Sequence, residues 1–196
     1  MPVVPHGPPV RVSGSVALFN LQSFAGGRDG GEWDFDAGPQ FRIGVERDIR
    51  YDMTLGLAAS YIRLPLFVSG GRCNGCAADA SLWQGMATLR LGHPDFRGFS
   101  SAFEFSGGVT GFASFAREED ASPVQGEPTE SFRDIVAAVA ASYVLGYGIW
   151  QGFDVSLVQE VGILFYDTAP EAPSSTSIPR FTATRVHLRY VLPRRR

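Results

Sequence analysis

Eight stretches of this chain alternate apolar and polar residues with a period of two, the spacing of β-strands whose two faces meet different surroundings. They fall near residues 11 to 24, 32 to 47, 51 to 66, 80 to 92, 99 to 116, 132 to 148, 152 to 167 and 180 to 192. In the second, WDFDAGPQFRIGVERDI, the odd positions carry Trp33, Phe35, Ala37, Phe41, Ile43 and Val45, and the even ones Asp34, Asp36, Gln40, Arg42 and Glu46. The third sets Tyr51, Met53, Leu55, Leu57 and Tyr61 against Asp52, Thr54, Gly56 and Ser60. The first stretch is mixed, which predicts a bulge near Leu18 and Phe19. Pro39 lacks a ladder donor, which predicts a bulge or a local break at Gly38 and Pro39.

Short and long connections take turns. RDIR, GHPDFR and GIWQ are short, whereas FVSGGRCNGCAADA, REEDASPVQGEPTE and TAPEAPSSTSIP are long and polar or rich in Gly and Pro. An up-and-down antiparallel barrel with tight turns on one rim and large loops on the other has this rhythm. The expected organisation is an extended leader over 1 to 10, a barrel over 11 to 192 and a basic tail over 193 to 196. The leader lacks a basic segment followed by an apolar run, so no secretory signal is visible: the chain is either cytoplasmic or a mature form whose signal has been removed, and a location outside the cytoplasm requires the second. The net charge of −3 provides no basic field for nucleic acid.

Two barrels fit, and they place the faces oppositely. A soluble barrel turns its large apolar side chains inward, around a small apolar ligand, and its charges toward water. A membrane barrel turns the apolar face to lipid and fills its interior with the polar one. IVAAVAASYVLGYGI favours the second, because Ala138, Ala140, Ser142, Gly146 and Gly148 suit a narrow lumen better than a wet surface. Residues 135 to 153 are also long and uncharged enough for a transmembrane helix, against which their Gly and β-branched content weighs. In the membrane barrel Trp33, Tyr51, Trp83, Tyr143, Tyr147 and Tyr190 form the aromatic girdle at the headgroups.

The polar face then gathers Asp36, Arg42, Glu46, Arg90, Glu104, Asp154, Glu160, Arg185, His187 and Arg189 in the lumen. Acids and bases are nearly matched, so they can pair and close the pore, or alternatively form a gate or ion path. His187 has Leu188 and Arg189 beside it and no His-x-Ser arrangement, so no catalytic residue is expected; a lipid-modifying barrel enzyme is the alternative. Cys73 and Cys76 lie in a Gly-rich loop where a disulfide is the plain reading; two thiols are too few for a zinc site. No metal or other cofactor is expected.

Taken together, the eight alternating strands, alternating connections and mixed small and charged lumen resemble the small outer-membrane β-barrels typified by the OmpA transmembrane domain, OmpX and the opacity-type adhesins. The resemblance is architectural and implies an all-β, eight-stranded antiparallel barrel in the bacterial outer membrane, with short turns in the periplasm and long loops outside. It implies contact with membrane lipids including lipopolysaccharide, and a structural, adhesive or interaction role through the loops, or passage of small solutes. Such barrels commonly end on an aromatic residue; this chain ends RYVLPRRR.

Overall fold

The computed structural model describes residues 9–26, 31–69, 76–92, 98–117, 134–150, 152–165 and 178–192. Ten strand segments run through them: β1 (Val10–Leu21), β2 (Phe24–Gly26), β3 (Gly31–Phe35), β4 (Gly38–Arg50), β5 (Met53–Ser69), β6 (Cys76–Gly92), β7 (Gly98–Arg117), β8 (Asp134–Trp150), β9 (Phe153–Phe165) and β10 (Arg180–Val191). Since β1 continues into β2 and β3 into β4 after two-residue interruptions, they form eight staves. Each stave pairs antiparallel with its chain neighbours, β10 returns to β1, and the sheet closes. The window read as a possible transmembrane helix is strand β8 from residue 135 through 150.

The stagger of the closure can be followed residue by residue. Asp52 accepts the amide of Gly92, and the ladder then runs through Ala102, Val144, Val158, Arg185, Ala17 and Gln40 to Ile62. One circuit therefore returns to β5 ten residues further along. A barrel of eight staves with that stagger has strands tilted by about 40° and an interior just wide enough for side chains.

Strict alternation separates the faces. Outward, β4 presents Phe41, Ile43 and Val45, β5 Leu55, Leu57 and Ala59, and β6 Ala87, Leu89 and Leu91. The outward face continues with Phe103, Phe105 and Val109 on β7, Val139, Ala141, Tyr143 and Leu145 on β8, Val186 and Leu188 on β10, and Val12, Val16 and Leu18 on β1. Ile43 and Leu57 are each 70% exposed, so these outward apolar side chains form an outer belt and are not part of a core. Tyr51, Tyr147, Trp150 and Tyr190 point outward near the end where Tyr51 and Asp52 turn the chain; Trp83 and Tyr61 pack together near the other end.

Two local expectations are corrected. β1 has no bulge at Leu18 and Phe19: its ladders with β4 and β10 run without a register shift, Leu18 faces out and Phe19 in. The stretch looked mixed because the interior is itself apolar at that height. The predicted break does occur, but at Asp36 and Ala37, and Pro39 pairs with Leu18 inside β4. Opposite it β1 breaks at Gln22 and Ser23, so the two staves part between the pairs Phe19 with Gly38 and Phe24 with Trp33. Each keeps its other neighbour, Gln22 donating to the carbonyl of Arg180 and Asp36 to that of Pro65, while Ser23 Oγ donates to Asp34 across the gap. The interruption flips the face, so Trp33 and Phe35 point into the barrel although Phe41 and Ile43 point out.

Candidate functional site

Among the described residues, the barrel interior is the place where the fold brings many ionisable side chains together, and it has two layers. On the staves with charged inward residues, those residues lie mostly toward the Tyr51 turn and the apolar ones mostly toward the opposite end, with Val158 on β9, nearer the turn than Glu160, as the exception. Along β10 the inward sequence runs Arg189, His187, Arg185, then Ala183 and Phe181; along β5 it runs Thr54, Ser60, then Ile62, Leu64 and Leu66.

The charged layer is built around Glu104 of β7. Arg90 donates to its Oε2 through Nε at 3.1 Å and Nη2 at 2.7 Å, and Arg185 Nη2 donates to Oε1 at 3.0 Å. Arg42 lies 3.7 Å from the same carboxylate and 3.5 Å from Glu160, which Arg185 also meets at 2.9 Å. Toward the turn end Arg189 binds Asp154 at 2.7 Å and approaches Glu46 at 3.5 Å, while Arg90 lies 3.7 Å from Glu46. Arg11 pairs with Asp48, which also accepts from Thr54. Apart from that outlying pair, Arg42, Arg90, Arg185 and Arg189 face Glu46, Glu104, Asp154 and Glu160, so the layer balances without a charge on His187. His187 fits that balance by offering Nδ1 to Arg90 at 3.4 Å.

Burying ions costs several kcal/mol each unless oppositely charged partners surround them, so balance is the condition for this layer to exist. The acids and bases of this layer come from five different staves, or six with the Arg11 and Asp48 pair, and pairing them holds the barrel's cross-section together. A cavity of about 10 Å³ among Ser13, Thr88, Glu46 and His187 has room for about one water, far short of a solute path. Above it Gln40 donates to Gln84 at 3.1 Å and Gln84 to Thr110 at 3.1 Å, a neutral belt between the layers.

The apolar layer fills the other half. Phe19 stacks on Phe181 with centroids 5.3 Å apart, and Phe24 contacts Trp33, Phe35 and Phe112 at 5.7, 5.6 and 6.5 Å. Ile62, Leu64, Leu66, Leu82 and Leu164 complete the packing, with hardly any surface exposed. Small residues leave the space: a Cβ on Gly162 would lie 2.2 Å from the Phe181 ring.

Of the lumen residues expected from sequence, Arg42, Glu46, Arg90, Glu104, Asp154, Glu160, Arg185, His187 and Arg189 face inward together. Asp36 does not: it sits in the break between β3 and β4 and is exposed. Trp33 does not belong to the outward aromatics either, being packed inside against Phe24. Both corrections follow from the face flip at Asp36 and Ala37. Tyr51, Trp83, Tyr143, Tyr147 and Tyr190 face outward. Cys73 lies outside the described residues and the Cys76 side chain is not described, as with the leader up to residue 8 and the tail from 193. Sequence reasoning missed Arg11 and the apolar plug. The inward parity of Arg11, Ser13 and Ser15 was a signal for the first, whereas nothing in the alternation distinguishes an apolar interior from an apolar exterior.

Beyond the Tyr61 and Trp83 pair, Arg63 projects outward and donates to Asp79 at 2.5 Å, and that hydrogen bond holds its guanidinium pKa above the ordinary value.

No family model and no curated protein matches this sequence. Solved structures do match its fold. The outer membrane protein OprG from Pseudomonas aeruginosa has a TM-score of 0.65 at 11% identity, covering 96% of this chain and 97% of its own. Neisserial surface protein A has a TM-score of 0.59 at 10% identity, covering 95% of this chain and 100% of its own. Ail, the attachment invasion locus protein of Yersinia pestis, has a TM-score of 0.52 at 12% identity, with coverage of 95% and 100%. The chain is an all-β, closed eight-stranded antiparallel barrel with the architecture of the small outer-membrane β-barrels.

Proposed function

We propose that this protein is an outer-membrane barrel with a closed lumen that works as an anchor, presenting the chain between β5 and β6, β7 and β8, and β9 and β10 to partners outside the cell. The observation that carries this reading is the inversion of the barrel: an apolar outer belt surrounds an interior that holds four guanidiniums on four carboxylates. Water would not stabilise such an exterior, and lipid would. On this reading the belt contacts membrane lipids, lipopolysaccharide among them, and the segments at 67 to 80, 117 to 131 and 167 to 179 carry adhesion or other recognition.

A structural or interaction role is favoured over passage of solutes, because both layers of the interior are filled. It is favoured over a lipid-modifying enzyme as well, since catalysis would need a His beside a Ser on the lipid-facing side, and His187 is turned inward among arginines. Ail was solved with the heparin analogue sucrose octasulfate, and that precedent for a barrel of this fold binding a ligand is consistent with a recognition role.

The test is extraction and refolding with and without detergent. Folded protein is expected only in micelles or vesicles. A folded monomer in plain buffer would overturn the membrane reading and favour a soluble barrel holding an apolar ligand.

A further inference from the structure

On the outer belt described above, an amide stands hydrogen-bonded to an aliphatic hydroxyl at one place among the described residues. Gln159 of β9 and Thr184 of β10 stand side by side on the ladder, both outward, and Thr184 Oγ1 donates to Gln159 Oε1 at 2.7 Å. Gln159 lies midway along β9, flanked outward by Leu157 and Val161, and so sits within the belt and not at a rim.

The hydrogen bond with Thr184 uses one lone pair of the amide oxygen. Among the described residues neither N–H of the Gln159 amide finds an acceptor. At this depth hydrocarbon supplies none, and each unmet polar group there costs several kcal/mol. An amide carries donor and acceptor side by side, so its simplest complement is another amide presented by the same surface about a two-fold axis.

We propose that the outer face of β9 and β10 docks a second copy of this chain, with Gln159 donating to the partner's Gln159 and accepting from it. Ala141, Val161, Thr182 and Val186 around the pair are small, while Tyr143, the outward ladder neighbour of Gln159 on β8, borders the contact on that side. This inference rests on the membrane reading.

The test is sedimentation equilibrium of the full chain in density-matched detergent micelles, with the heat-dependent shift in gel mobility as the check on folding. The wild type is expected to show a reversible monomer–dimer equilibrium. Gln159→Leu should weaken it about tenfold and Thr184→Val less, with both variants folded. A wild type that stays monomeric in micelles at every protein concentration overturns the docking face alone. A dimer whose dissociation constant is unchanged in folded Gln159→Leu does the same. A folded monomer in plain buffer overturns the membrane reading and the docking face together.

Discussion

Arg90 binds one oxygen of Glu104 through two nitrogens, while the other oxygen accepts from Arg185. Glu104 is thus the carboxylate on which guanidiniums from β6 and β10 converge, with that of β4 close by. Replacing it by Leu leaves those cations without their shared counter-ion, and the expected loss of stability is about 3–5 kcal/mol. Combining Arg90→Met with Glu104→Leu removes a cation with the anion and should cost less than the two single changes added together. Urea unfolding in lipid vesicles measures both; additive losses would mean that the two side chains do not act as a pair.

Gly38 opens β4 just after the face flip, and a Cβ there would lie 2.0 Å from the carbonyl oxygen of Arg63 on β5. That neighbour is backbone and cannot swing aside. Gly38→Ala is therefore expected to destabilise the barrel by about 1–3 kcal/mol through enforced strand displacement. Gly14→Ala is the control, because nothing lies within 4 Å of its Cβ position, and its effect should stay within about 0.5 kcal/mol. Equal unfolding midpoints for the two variants would refute this packing.

The three tryptophans separate the faces by spectroscopy. Trp83 and Trp150 are more than half exposed on the outer surface, while Trp33 packs inside against Phe24. In single-tryptophan variants refolded into vesicles of brominated lipid, emission from Trp83 and Trp150 should be quenched and that from Trp33 largely spared. Strong quenching of Trp33 would place it on the lipid side and remove the face flip.

That flip also marks where the sequence stopped being readable. Period-two alternation determined the staves and most of the faces, because once a strand is paired every second side chain must share a side. Trp33 and Phe41 belong to one uninterrupted odd-numbered series, yet one extra residue, taken up at the Asp36 and Ala37 interruption, puts them on opposite sides of the wall. Pro39 announced trouble nearby, but the break falls where the chain leaves β1 for β5, and that depends on the facing break at Gln22 and Ser23. The charged layer was legible because ions on an inward face have to meet. The plug was not, since Phe19, Leu64 and Phe181 carry no mark that tells a packed lumen from lipid.

The two layers make a prediction about conduction. Phe19→Ala with Phe181→Ala removes the stacked pair from the apolar half, at about 3–5 kcal/mol for each ring, but leaves the Glu104 cluster across the bore. Arg42→Ala loosens the charged half but leaves the leucine and phenylalanine packing above it. Since either layer alone spans the lumen, planar-bilayer recordings should show no channel openings for the wild type or for either variant. Openings are expected only when the changes are combined in one chain that still refolds. Steady conductance from the wild type would refute the closed lumen. Conductance from the phenylalanine variant alone would mean that the charged layer does not seal, and the guanidinium and carboxylate cluster would then act as a constriction for ions.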